Sequence, residues 1–133
     1  MHIREMVKAS GVMAAAVVVS LATATGAHAD SNEMKTNDDN PGGKLTFNSD
    51  GDKTKVCDEQ ADGWSAVAYV SQDGSTVYSL RARGDGNCIA VSADDGGRYN
   101  LRDGEKYTFR ICLDHDSSST GDDRFCDKAV WRA

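Results

Sequence analysis

An aspartate-glycine pair recurs through the middle of the chain, and this repeated turn signal limits the possible folds more than any other feature. The pairs are Asp50-Gly51, Asp62-Gly63, Asp73-Gly74, Asp85-Gly86, Asp95-Gly96 and Asp103-Gly104. Aspartate caps the local backbone, and glycine adopts a positive φ without steric cost. The pairs are roughly eight to twelve residues apart, which is the spacing of short antiparallel strands joined by tight turns. The chain is therefore predicted to be all-β.

The segments between these turns have the composition of strands. About eight short strands are predicted, over residues 45–48, 53–57, 64–70, 76–82, 88–92, 98–101, 106–113 and 125–131. The segment 64–70 is apolar on both faces, and its short length favours a central strand over an alanine-rich helix. The predicted architecture is a two-layer antiparallel β-sandwich of the immunoglobulin-like type.

The clearest strand signal lies at 106–113, where an apolar side chain occupies every second position. An antiparallel return strand with Cys126 opposite Cys112 matches apolar residues to each other. The three matched pairs are Leu113 with Phe125, Phe109 with Ala129, and Tyr107 with Trp131. The same register sets Ile111 against Asp127, which leaves room for a bulge or an intervening strand.

Residues 1–29 have the three parts of a secretory signal peptide. Arg4 and Lys8 supply the basic start, an apolar run follows over 12–21, and Ala27-His28-Ala29 forms a small-x-small cleavage site. The apolar run is short for a membrane span. Residues 30–43 contain almost no apolar side chain and are predicted to be a disordered acidic arm. Residues 44–133 then form a single β-sandwich domain of a secreted, extracellular protein.

All four cysteines follow the leader, and export to an oxidising compartment favours their pairing. The register of the last two strands favours a Cys112–Cys126 disulfide, which leaves Cys57 to pair with Cys88. Closing a loop of about 15 residues stabilises a fold by roughly 3 kcal/mol in the chain-entropy model. For a domain of this size that is a large share of the net stability.

The charge of the chain bears on its partners. It has 15 basic and 21 acidic residues, a formal net charge of −6. Without Arg4, Lys8 and Glu5 of the leader, the net charge of the remainder is about −7. Clustered lysine and arginine are needed to bind nucleic acid, so neither nucleic acid nor an anionic membrane is an expected partner. We expect a monomer whose partner is an extracellular protein or a small ligand.

The segment between Cys112 and Cys126 is the most polar part of the chain and the first candidate for a binding loop. Its candidate residues are Asp114, His115, Asp116, Asp122 and Asp123, together with Trp131, a partly exposed ring near the chain end. Four aspartates, Asp114, Asp116, Asp122 and Asp123, could gather around a calcium ion, which takes about six to eight oxygens. Their spacing fits no known calcium-loop template, and the simpler interpretation is a solvated, extended tip.

The sequence contains no coherent catalytic set. A serine hydrolase would depend on His115, the single histidine after the leader. Ser65 lies in Gly63-Trp64-Ser65-Ala66-Val67, which lacks the second glycine of a nucleophile elbow. Oxidised cysteines cannot supply a thiolate nucleophile. We expect no catalytic residue and no cofactor.

The chain resembles the small secreted proteins of actinobacteria. The likeness rests on the alanine-rich leader, the acidic arm and the segments Leu45-Thr46-Phe47, Val56-Cys57-Asp58, Ala61-Asp62-Gly63 and 107–112. It implies a disulfide-bonded β-sandwich without an agreed activity. The expected function is a secreted, non-enzymatic binding module. The alternatives are a secreted hydrolase inhibitor, whose disulfide-closed loop would have a low ordering cost, and a calcium-stabilised extracellular module.

Overall fold

The computed structural model describes residues 30–115 and 120–133. These residues form eight strands: β1 (Ser31–Lys35), β2 (Gly43–Asn48), β3 (Lys53–Asp58), β4 (Ser65–Gln72), β5 (Ser75–Arg83), β6 (Cys88–Val91), β7 (Lys106–Asp114) and β8 (Arg124–Arg132). Single 3₁₀ turns lie at Ala93–Asp95, Gly97–Tyr99 and Thr120–Asp122. None of the helical turns in this part of the chain is long and apolar enough to cross a bilayer.

The strands form two four-stranded antiparallel sheets. The first sheet has the order β1-β2-β3-β6, and the second sheet has the order β5-β4-β7-β8. The inner faces of both sheets enclose one core, in which Phe47 and Phe109 are fully buried with their ring centroids 4.5 Å apart. The predicted all-β, two-layer sandwich is therefore confirmed. β2 and β3 form a hairpin within one sheet, whereas immunoglobulin domains divide their second and third strands between the sheets.

The Asp-Gly pairs act as the turn signals that their spacing predicted. Each pair lies between consecutive strands, and the six glycines have φ between 75° and 83°. A positive φ of this size favours glycine because a Cβ would crowd the backbone. The first five pairs alternate between the two ends of the sandwich, and Asp103-Gly104 lies with Asp95-Gly96 in the β6–β7 connection.

Both predicted disulfides are formed. Cys57 pairs with Cys88 across β3 and β6, and Cys112 pairs with Cys126 across β7 and β8. The Cα–Cα separations are 4.0 and 4.2 Å, close to that of a narrow antiparallel pair. Both bridges lie on the outer face of their sheet, opposite in parity to the core residues.

The prediction that residues 30–43 form a disordered arm was wrong for residues 31–35, which form a strand. Ser31–Lys35 forms β1, which pairs along its length with β2 from Ser31↔Asn48 to Lys35↔Lys44. Met34 is 6% exposed and joins the core, and the Glu33 carboxylate lies 3.4 Å from the Lys44 ammonium. An edge strand is held by its backbone ladder, so one buried apolar side chain is enough to anchor it.

The predicted strand over 98–101 was also wrong. Gly97–Tyr99 forms a 3₁₀ turn, because Gly96 and Gly97 both have positive φ and interrupt any extended ladder. Tyr99 packs edge-on against Tyr78 at 5.0 Å, and Leu101 is buried against the core. The apolar residues of this segment thus reach the core from a turn.

Candidate functional site

A cleft of about 400 Å³ opens at the end of the sandwich where β1 and β7 end and β4 and β8 begin. Three segments line it: the β1–β2 loop, the β3–β4 loop and the facing ends of β7 and β8. The lining residues are Asn37, Asp38, Asp39, Asn40, Gln60, Asp62, Trp64, Leu113 and Phe125. We call this space the end cleft. Its volume is within the range of small-ligand sites, roughly 300–1,000 Å³.

Three apolar side chains form the floor of the end cleft. Leu113 is 3% exposed at the end of β7, Trp64 is half-buried before β4, and Phe125 on β8 is 52% exposed. Rings and an aliphatic side chain in one open cleft offer contact area to a ligand without any need to desolvate a charge. Phe125 is the member of this floor that needs an explanation, since a large ring gains little by facing water.

A β-bulge presents the Phe125 ring to the cleft. Ile111 lies opposite Asp127, but Leu113 lies opposite Arg124, so two residues of β8 face the single residue Cys112. Phe125 occupies the first bulge position with φ 54°, where glycine is the usual residue. The predicted pairing of Leu113 with Phe125 was therefore wrong, because the bulge turns the ring outward.

Six polar side chains form the rim, and hydrogen bonds hold the three segments together. The Asn37 N–H donates to the Phe125 carbonyl at 2.8 Å, and the Gln60 side-chain amide donates to the Asn40 carbonyl at 2.7 Å. Asp38 accepts from the Thr36 hydroxyl at 2.6 Å and from the Gly42 N–H at 3.1 Å. These contacts fix the rim in place before any ligand arrives, which lowers the ordering cost of binding.

A second polar group lies next to the cleft, on the outer face of the second sheet. We call it the outer-face cluster, and its members are Tyr69, Arg81, Arg110, Asp114 and Asp123. Arg81 forms an ion pair with Asp114, and an Arg110 nitrogen lies 3.7 Å from the Asp123 carboxylate. Both carboxylate side chains are only 1% exposed. A buried carboxylate of this kind depends on its cationic partner, because desolvation without one is costly.

Tyr69 and the second disulfide belong to the same network. The Tyr69 hydroxyl donates to Asp123 at 2.9 Å, and the Arg110 guanidinium lies 5.6 Å from the centre of the Tyr69 ring. Burial, and then the hydrogen bond to Asp123, raise the pKa of Tyr69 to about 12. Arg110 also donates to Cys126 Sγ at 3.1 Å. The cluster therefore joins β4, β7 and β8 on the outer face of the second sheet, with Tyr69 protonated at neutral pH.

The structure separates the residues that the sequence grouped as one binding loop. Asp114 and Asp123 are buried in ion pairs, Asp122 is exposed, and the His115 ring packs edge-on against Trp64 at 5.0 Å. Asp116 lies outside the described residues. Among the described residues, no three side chains of histidine, cysteine, aspartate or glutamate lie together as a metal site. The calcium hypothesis thus gains no support from Asp114 and Asp123, whose charges are offset by arginine.

Trp131 has a different place from the one that a binding role would require. It lies at the other end of the β7–β8 pair, opposite Tyr107. Its ring packs against Phe109 at 4.8 Å and stacks parallel to Phe47 at 6.3 Å. This half-buried ring completes the core and does not line the end cleft.

The sequence interpretation missed most of the cleft residues. Four of the nine, Asn37 to Asn40, lie in the segment taken as a disordered arm. Their signal was the run Asn37-Asp38-Asp39-Asn40-Pro41-Gly42-Gly43, which is typical of a tight polar turn as well as of disorder. Phe125 had been assigned to the core by parity alone, and only the bulge reverses that assignment.

No protein-family model matches the chain, and no curated protein or solved structure is significantly similar to it.

Proposed function

We propose that this chain is a secreted, non-enzymatic binding module and that its ligand site is the end cleft. The single observation that carries the proposal is the cleft itself, where two aromatic rings and six polar side chains from three tied segments surround an open space. A concave, partly apolar site with a few fixed polar groups is the usual form of a ligand site. The rigid scaffold of two stapled sheets supports the same interpretation.

The backbone at Phe125 adds support. A bulky side chain at φ 54° costs about 1–2 kcal/mol relative to glycine, and the exposed ring recovers little of that by packing. Strain of this kind persists where the side chain has a use outside the fold. A contact between this ring and a ligand is the use that fits its position in the cleft.

The arrangement of the catalytic candidates supports a non-enzymatic role. Ser65 is 4% exposed and lies opposite Asp114 in the β4–β7 pair, and the His115 ring contacts Trp64. A serine nucleophile needs an accessible hydroxyl within hydrogen-bond reach of its base. We include secretion in the proposal on the strength of the leader pattern, the two disulfides and the likeness to small secreted proteins of actinobacteria.

The test uses Phe125→Gly, with Val130→Ala as the matched control. Val130 is an exposed apolar residue of the same strand, 59% exposed and outside the cleft. Titration calorimetry would cover capped peptides of either charge, neutral oligosaccharides and anionic polysaccharides. We expect saturable binding in one class, retained in Val130→Ala and lost in Phe125→Gly. Because glycine suits φ 54°, the unfolding free energy of Phe125→Gly should equal that of the parent or exceed it by up to about 1 kcal/mol.

Three results would contradict the proposal. The first is the absence of saturable binding in every class. The second is a Phe125→Gly variant that loses stability but binds as the parent does, which would make the ring structural. The third is reproducible hydrolytic turnover that disappears on changing His115 or Ser65, which would make the protein an enzyme.

A further inference from the structure

The charges on the rim of the end cleft differ from those of the neighbouring outer-face cluster. The rim has three carboxylates, Asp38, Asp39 and Asp62, and no lysine, arginine or histidine lines the cleft among the described residues. None of the three carboxylates is in an ion pair with another described residue. Asp114 and Asp123 nearby each have an arginine. The rim therefore has negative charge that the described part of the fold does not neutralise.

The rim carboxylates differ in how far the fold uses them. Asp38 is half-buried and accepts hydrogen bonds that shape the loop. Asp62 is exposed, and among the described residues it accepts a hydrogen bond only from the Trp64 backbone N–H, at 3.0 Å. Asp39 is exposed, and no hydrogen bond or ion pair joins it to the described residues. Asp39 and Asp62 thus have acceptor positions free for a ligand.

The apolar floor adds a second requirement. Trp64 and Phe125 line the cleft, and aromatic rings attract cations, tryptophan most strongly. Leu113 and the rings can also cover an aliphatic stem, as happens where long basic side chains lie along apolar surfaces. A ligand with a cationic head and an apolar stem would use the rim and the floor together. Anionic ligands would meet repulsion from the rim.

Resting on the proposed function, we infer that the end cleft binds an arginine side chain presented by an extended segment of a partner polypeptide. The planar guanidinium pairs with carboxylates through several N–H groups and stacks on aromatic rings, which a compact ammonium does less well. A cleft of about 400 Å³ accommodates a side chain and its flanking backbone but is too small to accommodate the surface of a folded domain. Charge complementarity and the aromatic floor together select this occupant.

The experiment compares capped peptides that differ at one central residue: arginine, citrulline, lysine or glutamate. Citrulline keeps the shape of arginine without its charge. We expect the arginine peptide to bind tightest, with lysine several-fold weaker and no measurable binding of citrulline or glutamate. The affinity for the arginine peptide should fall as ionic strength rises, since salt screens exposed charges over about 10 Å at 0.1 M.

The variant for this test is Asp39→Asn with Asp62→Asn, which should lower the affinity for the arginine peptide at least ten-fold. The matched control is Asp50→Asn with Asp73→Asn. It removes the same charge from two exposed turns at the opposite end of the sandwich and should leave affinity unchanged. Circular dichroism and urea unfolding would establish that both double variants fold like the parent.

The outcomes separate this inference from the function on which it rests. If the arginine and citrulline peptides bind equally and Phe125→Gly binds neither, the inference of a cationic ligand is overturned, but the cleft remains a binding site. Saturable binding of a neutral saccharide in place of the arginine peptide would do the same. Binding of a free polyamine in place of the arginine peptide would overturn the polypeptide arginine as the occupant and keep the cleft as a site for cations. Equal weakening in the two double variants would show a general charge effect and overturn the inference. Failure of every class would overturn both the inference and the proposed function.

Discussion

The two sheets have the same number of strands and one cross-strand disulfide each, yet their outer faces are built differently. The first sheet shows lysines to solvent, and Glu33 forms partly exposed ion pairs with Lys44 at 3.4 Å and Lys35 at 4.0 Å. The second sheet buries two carboxylates, Asp114 and Asp123, under arginines. Exposed pairs contribute little to stability, whereas buried ones strongly constrain geometry. Loops attached to the first sheet thus supply the polar rim of the cleft, and the second sheet supplies Leu113 and Phe125.

The largest expected loss of stability comes from the first sheet, and it should leave ligand binding in the cleft unchanged. Replacing Cys57 and Cys88 by alanine releases a bridge with a sequence separation of 31 residues. In the chain-entropy model that costs about 3–4 kcal/mol of unfolding free energy. Cys88 is exposed, so little packing is lost with it. Urea unfolding would measure the loss, and ligand affinity of the folded fraction should stay that of the parent.

The same change in the second sheet should give a smaller loss of stability and a larger loss of binding. Cys112 and Cys126 are only 14 residues apart, which predicts about 3 kcal/mol. Cys126 follows the bulge residue Phe125 and receives a hydrogen bond from Arg110, so its removal loosens the cleft floor. Affinity should fall at least ten-fold by calorimetry. Parental affinity in Cys112→Ala with Cys126→Ala would show that the bridge does not hold the site.

Much of this comparison was accessible from the sequence. Alternation over 106–113, the Asp-Gly turns and the cysteine positions were enough to predict the sandwich, both disulfides and most of the β7–β8 register. Those features depend on local periodicity and turn chemistry, which one sequence displays. β1 was missed because a strand at a sheet edge needs little apolar character, and its pairing with β2 is a property of the fold.

The cleft was not predictable in the same way. Its rim comes from residues of two loops that are at least 20 positions apart, and they meet only because the strand ends coincide. The acids near Cys112 looked like one cluster, but strand parity and burial divide them between ion pairs and solvent. The mismatch of Ile111 with Asp127 left room for a bulge, but nothing in the pattern placed it at Phe125. A bulge shifts the alternation of faces by one residue, so Phe125 changes face while Ala129 and Trp131 keep their predicted partners.

One ion pair on the outer face of each sheet should differ in its contribution to stability. Arg81→Met removes the cationic partner of Asp114 while keeping most of the aliphatic stem, and Lys44→Met does the same to Glu33. Arg81 is one third exposed, so solvent moderates the loss, and we expect about 1–3 kcal/mol. Lys44 is equally exposed, but the Glu33 carboxylate is half exposed, so for that pair we expect at most about 0.5 kcal/mol. Equal losses by urea unfolding would contradict the difference between the faces.

The smallest expected effect concerns Asp52, a buried carboxylate of the first sheet that has no arginine. It is 3% exposed, and Oδ2 accepts the Leu101 N–H at 2.9 Å, while Oδ1 has no hydrogen-bond partner among the described residues. Burial, with a contribution from the charge of Asp103, raises the pKa of Asp52, although the Leu101 bond opposes the rise. The folded protein therefore holds this proton more tightly than the unfolded chain, whose aspartate pKa is about 3.9.

The sign of the pH dependence follows from that difference. The contribution of Asp52 to stability is complete below pH about 3.9 and is lost as the pH rises through the raised folded-state pKa. Asp52→Asn should abolish this fall in stability, because asparagine does not ionise. The variant should keep the local structure, since asparagine can still accept the hydrogen bond from Leu101 and tolerates φ 51°. The difference in unfolding free energy between parent and variant should thus change with pH only in that window. Asp103→Asn should lower the Asp52 pKa and shrink the window, whereas a difference independent of pH would mean that burial of Asp52 carries no charge penalty.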